Sequence, residues 1–258
     1  MKRPVERAFR QGLARGGLGV AIAVAAPSGF ADDTEELARK AADPTASLMS
    51  LNLRYTRIPE FHGLDANADL SQFQTVLPFR AWNTSNILRT TVNYTNSGPA
   101  TDGLADVTVF NLTVFDERWG RWGVGPVAQL LPGKDGKSDN TFALGPAVGF
   151  VASRGRWTYG LFNQNLFAGD IGISSLQPVI AYQLGNGWAV ATGDAQWTYD
   201  WERSAFVNLP VGLLLSKVAS IGGQSVKWSI NPEYNLRDQQ GLPKWTVRLG
   251  FSLLVPGS

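Results

Sequence analysis

From Val226 to Leu236 the chain alternates without a break: Val226, Trp228, Ile230, Pro232, Tyr234 and Leu236 are apolar, and Lys227, Ser229, Asn231, Glu233 and Asn235 between them are polar. Successive side chains of a strand point to opposite faces, so a period of two over this length makes one greasy and one wet face. The pattern recurs in segments of about ten residues closed by turn residues, which is how a transmembrane β-barrel reads. Twelve candidate strands follow, at 47–58, 70–82, 85–95, 104–116, 121–131, 141–153, 156–167, 173–184, 188–200, 205–217, 225–236 and 243–255. The fold expected is all-β, an antiparallel transmembrane β-barrel of about 12 strands with a short N-terminal helix. An even count closes the sheet with both chain ends on the periplasmic side.

The helix is expected ahead of the first strand. Asp33 with Glu36 resembles a capping box, and Thr34 to Ala42 is helical in pattern until Asp43-Pro44 stops it. Such a helix serves either as a periplasmic lead-in or as a plug for the barrel mouth. Link lengths alternate: Pro59 to Asp69, Asn96 to Gly103 and Pro132 to Asn140 are long, whereas Asn83-Thr84, Arg118 to Gly120, Arg154-Gly155 and Gly185 to Gly187 are short. Short periplasmic turns and longer outer loops predict that the odd-numbered links lie outside. The tenth link, Ala219 to Gln224, is longer than a tight turn and departs from the alternation.

Energy phases the strands. A Lys or Arg facing lipid at the bilayer centre costs about 2–4 kcal/mol, so charge belongs in the lumen. Met49, Leu51, Leu53 and Tyr55 then face lipid, and Ser50, Asn52, Arg54 and Thr56 face inward. The last strand sends Trp245, Val247, Leu249, Phe251 and Leu253 outward and Thr246, Arg248, Gly250 and Ser252 inward; the ninth sends Thr192, Asp194, Gln196 and Thr198 inward. In the fourth strand Val107 and Val109 lie on one face but Phe110, Leu112 and Val114 on the other, a switch that a bulge would explain. The lumen-lining candidates are Arg54, Arg89, Asp194, Lys227, Glu233 and Arg248. Centring the last hairpin near residue 240 places Glu233 opposite Arg248, with Arg54 approaching the same carboxylate from the first strand. Trp122, Trp157, Trp188 and Trp245 each lie near a turn, where membrane interfaces favour indoles.

The amino terminus adds a destination. Lys2, Arg3, Arg7, Arg10 and Arg15 form a basic region, Leu18 to Ala26 is apolar and small, and Gly29-Phe30-Ala31 is a small-x-small cleavage site. The apolar run is too short for a membrane-spanning helix, which needs about 20 residues. The organisation expected is a signal peptide over 1–31, a helical segment over 32–46 and a barrel over 47–258, in the bacterial outer membrane. The chain has 23 Lys plus Arg against 21 Asp plus Glu, and without residues 1–31 the balance becomes 18 against 20, so no nucleic-acid footprint survives. A mean hydropathy of −0.09 suits a soluble protein equally well, but strict alternation produces the same value. With no cysteine, disulfide frameworks and thiolate metal sites are excluded.

Motifs that suggest chemistry fall short. Gly133 to Ser138 resembles a phosphate loop but has Leu131 where the pattern needs Gly, and Asp65 to Asp69 opens like a calcium loop but has Leu70 and Val76 at the required Gly and Glu positions. His62 is the one histidine, lies in a link without a Ser in a nucleophile motif, and reads as a solvated loop residue. No catalytic residue, metal ligand or cofactor is assigned, and an enzyme is not expected.

The motifs Gly123-Val124-Gly125-Pro126, Leu144-Gly145-Pro146, Gly160-Leu161-Phe162-Asn163-Gln164, Leu176-Gln177-Pro178, Leu184 to Trp188 and Leu209-Pro210-Val211-Gly212 together resemble an uncharacterised family of Gram-negative outer-membrane proteins. The family is labelled putative transporter or phenol-degradation meta-pathway protein. One departure is that members tend to close the last strand on an aromatic, whereas this chain ends Leu254-Val255-Pro256-Gly257-Ser258. The resemblance implies a barrel and a transport role, without site residues. The function expected is a channel or facilitator for a small organic solute, with an outer-membrane lipid-modifying enzyme or a closed structural barrel as alternatives. Expected partners are outer-membrane lipid and lipopolysaccharide, the solute and the barrel-insertion machinery.

Overall fold

The computed structural model describes residues 29–99, 102–133, 140–169 and 171–256. The expected signal peptide lies outside them except for Gly29 to Ala31, and the phosphate-loop-like stretch lies outside them from Lys134 onward. One helix, α1 (Gly29–Lys40), precedes β1 (Leu48–Phe61), β2 (Ala68–Ala81), β3 (Thr84–Ser97), β4 (Gly103–Glu117), β5 (Gly120–Leu131), β6 (Thr141–Arg154), β7 (Trp157–Ala168) and β8 (Ile171–Gly185). Then come β9 (Trp188–Ala191), β10 (Trp197–Asp200), β11 (Ala205–Asn208), β12 (Pro210–Gly212), β13 (Leu214–Ile221), β14 (Gln224–Asn235) and β15 (Pro243–Pro256). β9 and β10 form one stave and β11 to β13 the next, so the segments build a closed antiparallel barrel of 12 staves. Closure is made by β1, which pairs with β2 on one side and with β15, from Leu48↔Pro256 onward, on the other.

The exterior is what alternation requires. Leu53, Phe73, Leu144, Phe167 and Leu249 are exposed outward. Aromatic girdles ring both ends, with Trp82, Trp119, Trp157 and Trp188 at the tight-turn end and Tyr94, Trp201 and Trp245 at the other. Chemistry of the turns explains the tight end. Trp82 and Asn83 have φ of 47° and 60°, and Gly222 and Gly223 have 58° and 81°, the doubly left-handed pair that matches the twist of a two-residue hairpin. The tenth link is therefore a tight turn, and β13 runs on to Ile221. The strand expected over 205–217 thus extends four residues further.

Two further expectations change. α1 begins before the capping box and ends at Lys40; Asp43 instead accepts from Thr45, at 2.7 Å from its N–H and 2.6 Å from its hydroxyl. In β4 no bulge separates Val107 from Val114, since the pairing to β5 keeps one register throughout. Phe110, Leu112 and Val114 point inward because the lumen itself is apolar there. They pack with Ile87, Val127, Ala147 and Phe162 into a buried cluster filling the flank enclosed by β3 to β7.

Glycine and proline shape that flank. Pro126 and Pro146 face each other across β5 and β6, and the neighbouring ladders skip Asn111–Leu112 on β4 and Asn165–Leu166 on β7. Proline has no N–H to give. A Cβ on Gly125 would collide with the Asn111 carbonyl oxygen, and one on Gly145 with that of Asn165, so bare glycines allow the strands to crowd at the bend.

Candidate functional site

The opposite flank of the lumen is wet. A cavity of about 460 Å³ is lined mainly by strand residues of β1 to β3, β8 and β10 to β15, with Asp106 and Thr108 of β4, Gln129 of β5 and Gln164 of β7 reaching it from the other side, and at the tight-turn end by the segment from Ala38 to Ala46. That segment sits in the barrel mouth. Ala38, Ala46 and Leu48 pack with Val218 and Leu254, the buried Asp43 carboxylate pairs with Arg121, and Lys227 Nζ donates to the Ala41 carbonyl at 3.1 Å. Small side chains let the chain thread close to the wall, while Asp43 and Lys227 fix its depth.

Of the six expected lumen residues, Arg54, Arg89, Asp194, Lys227 and Arg248 border this cavity. Glu233 lies behind them, nearly fully buried, paired with Arg248. That pair forms in a different register from the one expected. Asn231 is opposite Arg248 and Glu233 is opposite Thr246, so the ion pair is diagonal, one step along the shared inner face. The last link is drawn off centre because its ends are bound elsewhere: His62 N–H donates to the Leu242 carbonyl at 2.9 Å, Gly241 N–H donates to His62 at 2.8 Å, and Leu236 N–H donates to Leu209 at 2.9 Å. Arg54 does not reach Glu233. It pairs instead with Asp194, across the lumen.

Asp194 reaches the lumen through a fault in the wall. β8 pairs with β9 up to Ala191 and with β10 from Trp197, and the backbone between them bows out of the ladder. Facing it, β9 pairs with β13 and β10 with β11, but no ladder joins residues 192–196 to residues 209–213. Thr192 binds back to β8 through the Pro178 carbonyl at 2.8 Å, and Gln177 Nε2 donates to Asp194 at 3.1 Å. The expected single strand over 188–200 is thus two pieces. Sequence periodicity missed the break because residues 192, 194, 196 and 198 stay inward on both sides of it.

The remaining candidates resolve differently. His62 is buried rather than solvated: Nδ1 lies 3.0 Å from Asp238 Oδ1 and Nε2 lies 3.2 Å from the Asn235 carbonyl. Asp69, the last acid of the calcium-like stretch, is committed to Arg57 at 2.6 Å, Tyr55 at 2.5 Å and Ser97 at 3.1 Å. Among the described residues no group of histidines and acids is placed to hold a metal. Sequence reasoning missed Asp43 and Arg121, whose partnership no spacing announces, and Asp106, which borders the cavity and accepts from Asn93 at 3.0 Å and Thr108 at 3.1 Å.

A closed even-staved barrel with an apolar exterior, two aromatic girdles and a polar interior cavity defines an outer-membrane β-barrel protein. No family model and no curated protein matches the chain. Solved structures do. An outer membrane channel from Pseudomonas putida F1 superposes with a TM-score of 0.54 at 12% identity, covering 83% of this chain and 99% of that one. The KdgM porin in complex with disordered oligogalacturonate gives 0.48 at 12% identity over 81% and 99%, and outer membrane phospholipase A from Escherichia coli gives 0.45 at 14% over 86% and 98%. At such identities the likeness is one of fold.

Proposed function

We propose that the chain is an outer-membrane channel or facilitator for a small organic solute. The observation that carries this is the wet cavity on one flank of the lumen, bordered by charged and amide side chains and stopped at one end by the Ala38 to Ala46 segment. Twelve staves lie between the eight whose interior side chains fill and the sixteen that leave a wide aqueous channel, which suits a narrow path. A cavity of that size argues against a solid structural barrel. An aromatic solute, implied by the family label alone, belongs in the test set. Liposomes carrying the refolded protein should swell in small organic solutes and not in a trisaccharide, and deleting residues 32–46 should raise single-channel conductance severalfold. No solute-dependent swelling in either form refutes the channel.

A lipid-modifying enzyme is the second reading, favoured by the contact between buried His62 and Asp238. Acyl transfer by such a pair also needs a nucleophile against the other ring nitrogen, and that position is taken by the Asn235 carbonyl. Hydrolysis of phospholipid micelles abolished by His62→Ala would establish it.

A further inference from the structure

We propose that the lumen contains a binding site for a small carboxylate, built from Arg54, Arg89, Lys227 and Arg248, in which the Asp194 side chain sits as an internal competitor. The proposal rests on the channel reading and names the solute class. Its first support is the distribution of partners. Arg248 is matched by Glu233 and Arg54 by Asp194, but among the described residues no carboxylate lies within ion-pair distance of Arg89 or Lys227. Lys227 spends a hydrogen bond on the neutral Ala41 carbonyl. Arg89 lies over the Phe110 ring, 4.7 Å from its centroid, and its Nε has no hydrogen-bond partner. A ring face steadies a guanidinium but cannot accept its in-plane N–H groups, so the fork stays free for an oxyanion.

The second support is Asp194. Its carboxylate pairs with Arg54 across the lumen and borders the same cavity as Arg89, Lys227 and Arg248. It therefore marks where an incoming carboxylate is best compensated. It is also held by the stretch with no ladder to its neighbouring stave, so it is tethered by little besides Arg54 and Gln177. Asp106 does not neutralise the cluster: Asn93, its cross-strand partner, is four residues from Arg89, about 13 Å along the strand.

A tethered carboxylate competes at a high effective concentration, so removing its charge strengthens binding of the free one. The test is the line broadening of ¹³C-acetate by full-length refolded protein in micelles, with inorganic phosphate as the comparison anion and circular dichroism to verify folding. Asp194→Asn is expected to tighten acetate binding about tenfold, and Arg89→Gln to weaken it about tenfold, the scale of one charge-assisted hydrogen bond. Arg89→Lys, which keeps the charge and loses the fork, falls between. Equal binding by wild type and folded Arg89→Gln overturns the site, as does weaker binding by Asp194→Asn; tighter binding of phosphate than acetate overturns the carboxylate assignment. Acetate binding without liposome swelling leaves the site standing and removes the channel, and swelling with no dependence on residue 89 does the reverse.

Discussion

The two flanks of the lumen are made by one alternation rule and do opposite things. From β3 to β7 the inward positions Ile87, Leu112, Val127, Ala147 and Phe162 are all buried, with bare glycines where strands crowd, and the polar positions of the same strands nearer the other end, Arg89, Asp106 and Gln129 among them, border the cavity. From β13 round to β2 the inward positions are Lys227, Ser229, Arg248, Asn52, Arg54 and Gln72, all bordering the cavity. Hydrophobic burial fixes the apolar part of the first flank. Ion pairs and amides hold the second, where burial would be self-defeating.

The comparison can be broken most severely at glycine. Gly160→Val places a branched side chain against the Phe150 carbonyl, and we expect it to abolish refolding; in the wet flank Gly250→Ala meets only the Ser229 hydroxyl at 2.5 Å and should refold normally. Refolding yield from urea into micelles checks both. Next, Phe162→Ala, at 1% exposure and 5.5 Å from the Phe110 ring, should cost about 3–5 kcal/mol in urea unfolding. A cost below about 1 kcal/mol would mean that the dry flank is loosely packed.

In the wet flank the same logic takes an electrostatic form. Glu233→Ala leaves Arg248 poorly compensated and should cost about 3 kcal/mol, with the double variant Glu233→Ala/Arg248→Ala costing less than the two single changes added together. Additive effects would show that the diagonal pair contributes nothing. Arg121→Ala should loosen the mouth segment by releasing Asp43, raising conductance severalfold at about 1–2 kcal/mol of stability. Lys244→Ala removes a pair to Glu60 at 2.6 Å that is half in solvent, and should change stability by about 0–1 kcal/mol.

Much of this was legible in the chain, for definable reasons. Strand positions and faces follow from period two and the cost of charge in lipid, which is why Arg54, Arg89, Lys227 and Arg248 share an interior. What failed to read was set by contacts distant in sequence. The register of β14 against β15 depends on where His62 and Leu209 hold the last link, and the packing of the dry cluster depends on the room that Gly125 leaves for the Asn111–Leu112 backbone and Gly149 leaves for the Phe162 ring. The break at residues 192–196 is silent because it preserves alternation. Several motifs that carry the resemblance are architectural, a bend at Gly125-Pro126 and Gly145-Pro146, a hairpin at Asn186-Gly187, and Phe162 in the dry cluster, whereas Gln164 and Gln177 border the cavity.

Closure of β1 on β15 also sets a timetable. Leu48 meets Pro256 across about two hundred residues of chain, so the last strand must be present before the first has its second partner. Contacts of such sequence separation are slow to form, because the entropy of bringing the ends together is lost before any pairing repays it. Ala41 and Ala46 lie within the ring that this event completes, held by Lys227 and Leu254 from the final third of the chain. The mouth segment therefore reaches its seat only as the ring shuts, and whatever delays the last hairpin delays the docking of Ala41 and Ala46 with it.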